Sequence, residues 1–211
     1  MKVLVAVASR HAATAEIAEF IGAELRTPLS EVDPTAQVDV RGIGTIADLD
    51  EYDAVLVGSA IYLGRWLKAA RHFVAAHAGT LRGRPVWLFA SGPVGEPLEP
   101  QLEPPELRAM TLACGAREHR LFAGRLRSAD LQVGERVAVR AVHAEEGDYR
   151  DWEDISSWAR QVADELLSSE VVAVTAESPV GLPRWGDQEV THALRQEARA
   201  RHPSGRPSGP P

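Results

Sequence analysis

The stretch VAVASRHAATAEIAEF, residues 5–20, passes from an apolar run into a small hydroxyl-bearing loop and then into a helical pattern. Residues 3–8, VLVAVA, are apolar at every position. That suits a central parallel strand covered on both faces better than an alternating antiparallel one. From Thr14 the period changes: Ile17, Ala18, Ile21 and Leu25 recur at three- and four-residue spacing, marking one face of a helix expected to end before Pro28. The unit is β-loop-α, and the short loop is the feature to explain.

The alternation continues along the chain. AQVDV (36–40) and AVLVGS (54–59) read as strands, and Trp66, Ala70, Phe73 and Val74 as one face of a helix closing near Gly79. PVWLFAS (85–91) reads as a fourth strand, 104–114 as a helix with proline in its first turn, and REHRLFAG (117–124) as a fifth strand. Asp151, with Asp154 three residues on, supplies an N-terminal cap for an amphipathic helix carrying Ile155, Trp158, Val162 and Leu166. Strands alternating with helices imply an α/β fold, a doubly wound five-stranded parallel sheet with helices on both faces. After about Ser169 the composition shifts, ending in PSGRPSGPP. Residues 1–169 are expected to form the domain, and 170–211 a largely flexible C-terminal appendage.

The whole-chain numbers narrow the functional classes. A chain of 211 residues with 45% hydrophobic content can bury one substantial core. With 30 acidic against 23 basic side chains the formal charge is −7, which disfavours a nucleic-acid partner. The single Cys114 excludes an intrachain disulfide framework and reads as a small packed side chain. With no signal-like opening, this points to a reducing cytoplasm. No apolar stretch approaches the roughly 20 residues of a spanning helix, so membrane contact is expected to be at most peripheral. The histidines show no metal-ligand spacing; His72 and His77, five apart, do not share a helix face.

In a sheet of order 2-1-3-4-5 the ligand crevice lies beyond the carboxyl ends of the first and third strands. The relevant loops are 8–14 and 59–64. The first offers the Ser9 and Thr14 hydroxyls, successive backbone N–H groups through Arg10, His11, Ala12 and Ala13, and the positive end of the following helix. Those are the makings of an anion site, to which Arg10 or His11 could add charge. A helix merely capped by a hydroxyl is the plainer alternative. Neither a glycine-rich run ending in Lys-Ser/Thr nor a G-x-G-x-x-G follows the strand, which favours a monophosphate over a pyrophosphate. The second loop, GSAIYLGRW (58–66), sets Ser59, Ala60, Ile61, Tyr62, Leu63 and Gly64 at the mouth where a planar ligand would lie. Tyr62 is the expected ring contact there and Trp66 a core residue. A third segment, ASGPVGEP (90–97), brings Ser91, Gly92, Pro93, Val94 and Gly95 to the same edge.

These residues resemble a flavodoxin-type FMN protein, and within that superfamily the menaquinone-dependent protoporphyrinogen IX dehydrogenase branch. MKVLVAVASRHAATAEIA, YDAVLVGSAIYLGRWLKAARHFVAAHAGTL, LFAGRLR and DWEDISSWARQVADEL carry the resemblance, across most of residues 1–169. It implies FMN, with its phosphate on loop 8–14 and its ring between 59–64 and 91–95. In the family's phosphate loop Ser9, Arg10 and Thr14 fit, while His11 and Ala12 replace the usual residues. Ala12 carries a Cβ where a glycine would allow positive φ, which implies a reshaped turn and weaker binding. The segment between Gly124 and Asp151 is shorter than the dehydrogenase's basic, hydrophobic one. Its VGERVAVRAV places Val133, Val137, Ala141 and Val142 on one face, with Arg136 and Arg140 elsewhere.

The implied reaction moves electrons from a porphyrinogen, a step of heme biosynthesis, through FMN to a quinone. No side chain need act as acid or base, because the flavin carries the chemistry. Arg65, Arg125 and Arg127 are the candidate contacts for substrate propionates. Two other classes stay open: an electron carrier docking to a protein redox partner through its acidic surface, and a flavin-free interaction module. Oligomeric state stays open too, a homo-oligomer included.

Overall fold

In a computed structural model of the chain, residues 1–62, 64–92, 105–127, 129 and 146–177 are described. Met1–Glu170 form one compact unit. The segment holding Val133 to Val142, and residues 178–211, lie outside the described residues.

Strand β1 (Lys2–Ala8) is the axis of the molecule, followed by α1 (Ala13–Val32), β2 (Gln37–Gly42), a 3-10 turn (Ile43–Thr45) and β3 (Ala54–Tyr62). Then come β4 (Arg65–Trp66), α2 (Lys68–Ala76), α3 (Ala78–Arg82), β5 (Val86–Ser91), α4 (Pro105–Cys114) and β6 (Glu118–Phe122). A small hairpin, β7 (Arg125–Leu126) and β8 (Gly147–Asp148), precedes α5 (Trp152–Glu177). The parallel strands stand in the order β2-β1-β3-β5-β6, with β4 added antiparallel at the end of β3. Among the five parallel strands this is the 2-1-3-4-5 order expected of the sequence, and it gives a flavodoxin-like doubly wound sheet.

The continuous apolar strands are buried on both sides. Val3, Val5, Val7, Trp87 and Phe89 pack with Ile17, Ile21 and Leu25 of α1 and with Ile155, Trp158 and Val162 of α5. Leu4, Ala6, Val55, Val57 and Leu88 face the other way, onto Phe73, Val74, Leu107 and Cys114. Gly58 lies in the middle of β3, where an added Cβ would come within 2.1 Å of the Phe89 ring. The close fit leaves no room for a side chain there. Among the described residues no helix is long and apolar enough to cross a membrane.

Three local expectations are corrected. Helix α1 runs through Pro28 to Val32. Proline forfeits one backbone hydrogen bond, but the last turn is held by buried Leu29, whose carbonyl accepts the Asp33 N–H at 2.8 Å. Asp33 is in turn paired with the chain's amino terminus at 2.8 Å. Helix α2 ends at Ala76, and Gly79 lies inside the short helix α3. Trp66 is buried as expected but belongs to β4, not to a helix. Gly64, at φ 71°, makes the reversal that lets Ile61 pair with Trp66 and Tyr62 with Arg65.

Candidate functional site

Register brings the three carboxyl ends together: Ala8 pairs with Ser59, Ser59 with Ala90, and Ala60 with Ser91. The strand ends that carry the predicted loops therefore lie along one edge of the sheet.

The loop after β1 is strained and underused. Ala12 adopts φ 62°, ψ −27°, the only non-glycine positive φ among the described residues. The turn keeps a positive φ despite the Cβ, a conformation that costs about 1–2 kcal/mol at a non-glycine residue. Two backbone bonds fix it: Ala13 N–H to His11 carbonyl at 2.8 Å, and Glu16 N–H to Ala12 carbonyl at 2.9 Å. No side chain caps α1. The Ser9 hydroxyl is buried and has no hydrogen-bond partner among the described residues. A buried unpaired hydroxyl beneath an uncapped helix N-terminus is an anion-receptive arrangement, since both the dipole and the open donors favour negative charge. Thr14, also buried, shares a 3.0 Å hydrogen bond with the Ser91 hydroxyl and ties the first turn of α1 to the end of β5.

At the β3–β4 hairpin the Ser59 hydroxyl is satisfied internally, although the buried Trp66 indole N–H of the same hairpin has no hydrogen-bond partner among the described residues. The Ser59 hydroxyl donates to the Ala60 carbonyl at 2.9 Å and accepts the Leu67 N–H at 3.0 Å. It thus holds the β3–β4 hairpin. Tyr62 is half-buried, with the Arg10 guanidinium 4.7 Å from its ring centroid, so the first two loops touch. Ala60 and Ile61 are half-buried beside it, and Gly64 is exposed. Gly92 leaves β5 at φ 127°, with Ile61 Cβ only 3.4 Å from where its own Cβ would lie. Leu63, Pro93, Val94 and Gly95 lie outside the described residues.

The three arginines proposed as substrate contacts separate. Arg65 is exposed and 3.4 Å from the Glu106 carboxylate. Arg127 is exposed. Arg125 is not an open cation at the mouth: its side chain is 7% exposed and makes two hydrogen bonds to Glu16, at 2.7 and 2.9 Å. Arg150, 4% exposed, joins the same carboxylate at 2.7 Å and grips Asp148 through two further bonds, at 2.7 and 2.6 Å. Arg125 first, then Arg150, holds the Glu16 carboxyl below the usual carboxylate range. The Arg150 guanidinium does the same to Asp148. Sequence reasoning missed Glu16 and Arg150. An acidic residue in a helix's first turn was the one available signal, and it reads equally well as a dipole complement.

A shallow apolar groove runs beside the loop, lined by Ala12, Ala15, Glu16, Glu19, Phe20 and Trp152. On the opposite face of the sheet His119 is largely buried near Trp66, ring centroids 6.1 Å apart, and burial pushes its imidazole down to about 4.

A strained, uncapped turn thus stands at the switch point of a doubly wound α/β sheet. Residues 4–153 match the family model described as "Flavodoxin domain", and the chain belongs to that family. It is 26% identical over 180 residues, 77% of this chain and 95% of the relative, to an Escherichia coli K12 protein named "Protoporphyrinogen IX dehydrogenase [quinone]". Among solved structures it is similar to a Streptococcus pneumoniae TIGR4 flavodoxin, at TM-score 0.50 and 18% identity over 80% of this chain and 99% of that one. It is also similar to rubredoxin oxygen:oxidoreductase from Desulfovibrio gigas, at TM-score 0.52 and 14% identity over 79% of this chain and 36% of that one. Those two likenesses concern the fold.

Proposed function

We propose that the chain is an FMN-dependent oxidoreductase that oxidises a porphyrinogen-class substrate and passes the electrons to a quinone. The observation that carries the FMN assignment is the unpaired, buried Ser9 hydroxyl beneath the uncapped N-terminus of α1. A monoanionic or dianionic phosphate would take up both the hydroxyl and the helix N–H groups. Tyr62 and the backbone at Ala60, Ile61 and Gly92 are the parts of the edge suited to a flat ring. Bound FMN would supply the redox chemistry, moving two electrons at a time from substrate to acceptor. The chain's own work is then to hold the phosphate, orient the ring and exclude water from one side of it. The substrate and quinone come from the name borne by the E. coli relative.

A second reading, an electron carrier docking to a protein partner, draws support from two facts. The net charge of −7 suits electrostatic steering of a cationic partner. Arg125 is committed to Glu16, and Arg65 lies beside Glu106, which leaves less cationic surface for propionates than the sequence suggested.

The test is a titration of the full-length, flavin-stripped protein with FMN, followed by flavin fluorescence. Anaerobic incubation of the loaded protein with protoporphyrinogen and menadione comes next. Saturable quenching with protoporphyrin formation supports the oxidoreductase; quenching without turnover supports the carrier. An absence of quenching at high protein concentration would sink both and leave the interaction module.

A further inference from the structure

We infer that Arg150 and Arg125 are positioning residues that make the proposed flavin site selective for a phosphorylated flavin. The inference rests on the FMN reading above and deepens it.

The ligand-facing turn contains an apparent contradiction. Glu16 closes the first turn of α1, through its N–H to the Ala12 carbonyl, and so places a carboxylate one turn from the site assigned to a phosphate. Two like charges at that separation in a partly desolvated edge repel. The buried arginines remove the conflict. Arg125 meets both Glu16 oxygens, and Arg150 meets one of them while also holding Asp148 in a fork. Two carboxylates and two guanidiniums balance, so the cluster itself is neutral beside the loop. Loss of either arginine leaves a net negative charge next to the phosphate position.

The same contacts fix geometry. Arg125 and Asp148 face each other across the β7–β8 hairpin, so the hairpin is bolted to the first turn of α1. Arg150 also stacks over the Trp152 ring at 4.5 Å, and Trp152 packs against Phe20 of α1 at 5.0 Å between centroids. Its Nη1 comes within 3.5 Å of the Ala13 carbonyl, the residue directly after the strained Ala12. A non-glycine left-handed turn persists only where surrounding structure over-determines it. Here the two backbone bonds of the turn are backed by the Arg150 contact to the Ala13 carbonyl and by the arginine pair's hold on Glu16. Arginine's planar fork makes the several bonds at once, which a lysine ammonium cannot.

The test compares FMN with riboflavin, which lacks the phosphate, on flavin-stripped full-length wild type, Arg150→Met and Arg150→Lys. Methionine keeps the alkyl packing on Trp152 and removes the charge; lysine keeps the charge and loses the fork. Arg150→Met is expected to weaken FMN at least tenfold and riboflavin less than twofold. Arg150→Lys is expected to recover part of the FMN loss. If Arg150→Met does not fold, Arg150→Lys decides, with an expected FMN loss of threefold or more and riboflavin unchanged. Equal effects on the two flavins, or none on either, in wild type that binds FMN would overturn this inference and leave the FMN reading standing. Wild type that binds neither flavin overturns both.

Discussion

The loops after β1 and β3 lie side by side at the same edge of the sheet and differ in how they meet their own polar and steric demands. The β3–β4 hairpin reverses at a glycine, Gly64, and the buried Ser59 hydroxyl within β3 makes two internal hydrogen bonds. The loop after β1 reverses at an alanine and leaves its buried hydroxyl, Ser9, unpaired. On the proposed reading, a hairpin whose hydroxyl is satisfied is a wall, whereas a loop that keeps strain and an unpaired hydroxyl at a helix N-terminus is arranged for a phosphate. That reading separates folding residues from proposed ligand residues where both types are small and polar.

The largest effect belongs to the hairpin side. Trp66, 1% exposed and anchoring β4, is expected to lose about 3–5 kcal/mol of stability on Trp66→Ala, read from urea unfolding. Nearby His119 supplies a pH test. Its imidazole is neutral in the fold down to about 4, whereas the unfolded chain takes up a proton near 6.5. The unfolded state therefore binds more protons in that window, and stability falls as pH drops from about 6.5 to about 4, by at most about 3 kcal/mol. A His119→Gln variant should flatten the profile there. Below about 4 the lowered carboxyls of Glu16 and Asp148 take over, their contribution being lost as they protonate.

Ser59→Ala strands the Leu67 N–H and is expected to lose about 1–3 kcal/mol of stability, again by urea unfolding. The two reversals sharpen the contrast further. Ala12→Gly relieves a left-handed alanine and should raise the thermal midpoint of the flavin-free protein by the equivalent of about 1 kcal/mol. Gly64→Ala should lower it by about as much, because open space surrounds Gly64 and only the backbone conformation opposes a Cβ. The same sign for both would break the comparison.

Much of the fold was legible because it is written locally. Continuous apolar runs at β1, β3 and β5 mark doubly covered strands, and the Asp151 cap appears as expected, accepting the Glu153 and Asp154 N–H groups at 3.0 Å each. Pro28 misled because a single lost backbone bond is outweighed by the burial of Leu29 and the Asp33 pairing. The Glu16 to Arg125 contact spans 109 positions of sequence and has no periodic signature, so the arginine read as an open surface cation. The division of labour between Ser9 and Ser59 was illegible for a similar reason. In the sequence both read as serines at strand ends, and only the extension of β3 through Ser59 into the hairpin gives its hydroxyl partners.

The most direct measurement is Ser9→Ala, with unfolding free energy and FMN dissociation constant determined on the same protein. A hydroxyl without a partner in the fold predicts stability within about 0.5 kcal/mol of wild type and FMN binding weakened about fivefold or more. Lost stability with unchanged FMN binding would contradict the account, making Ser9 another Ser59 and the first loop another wall.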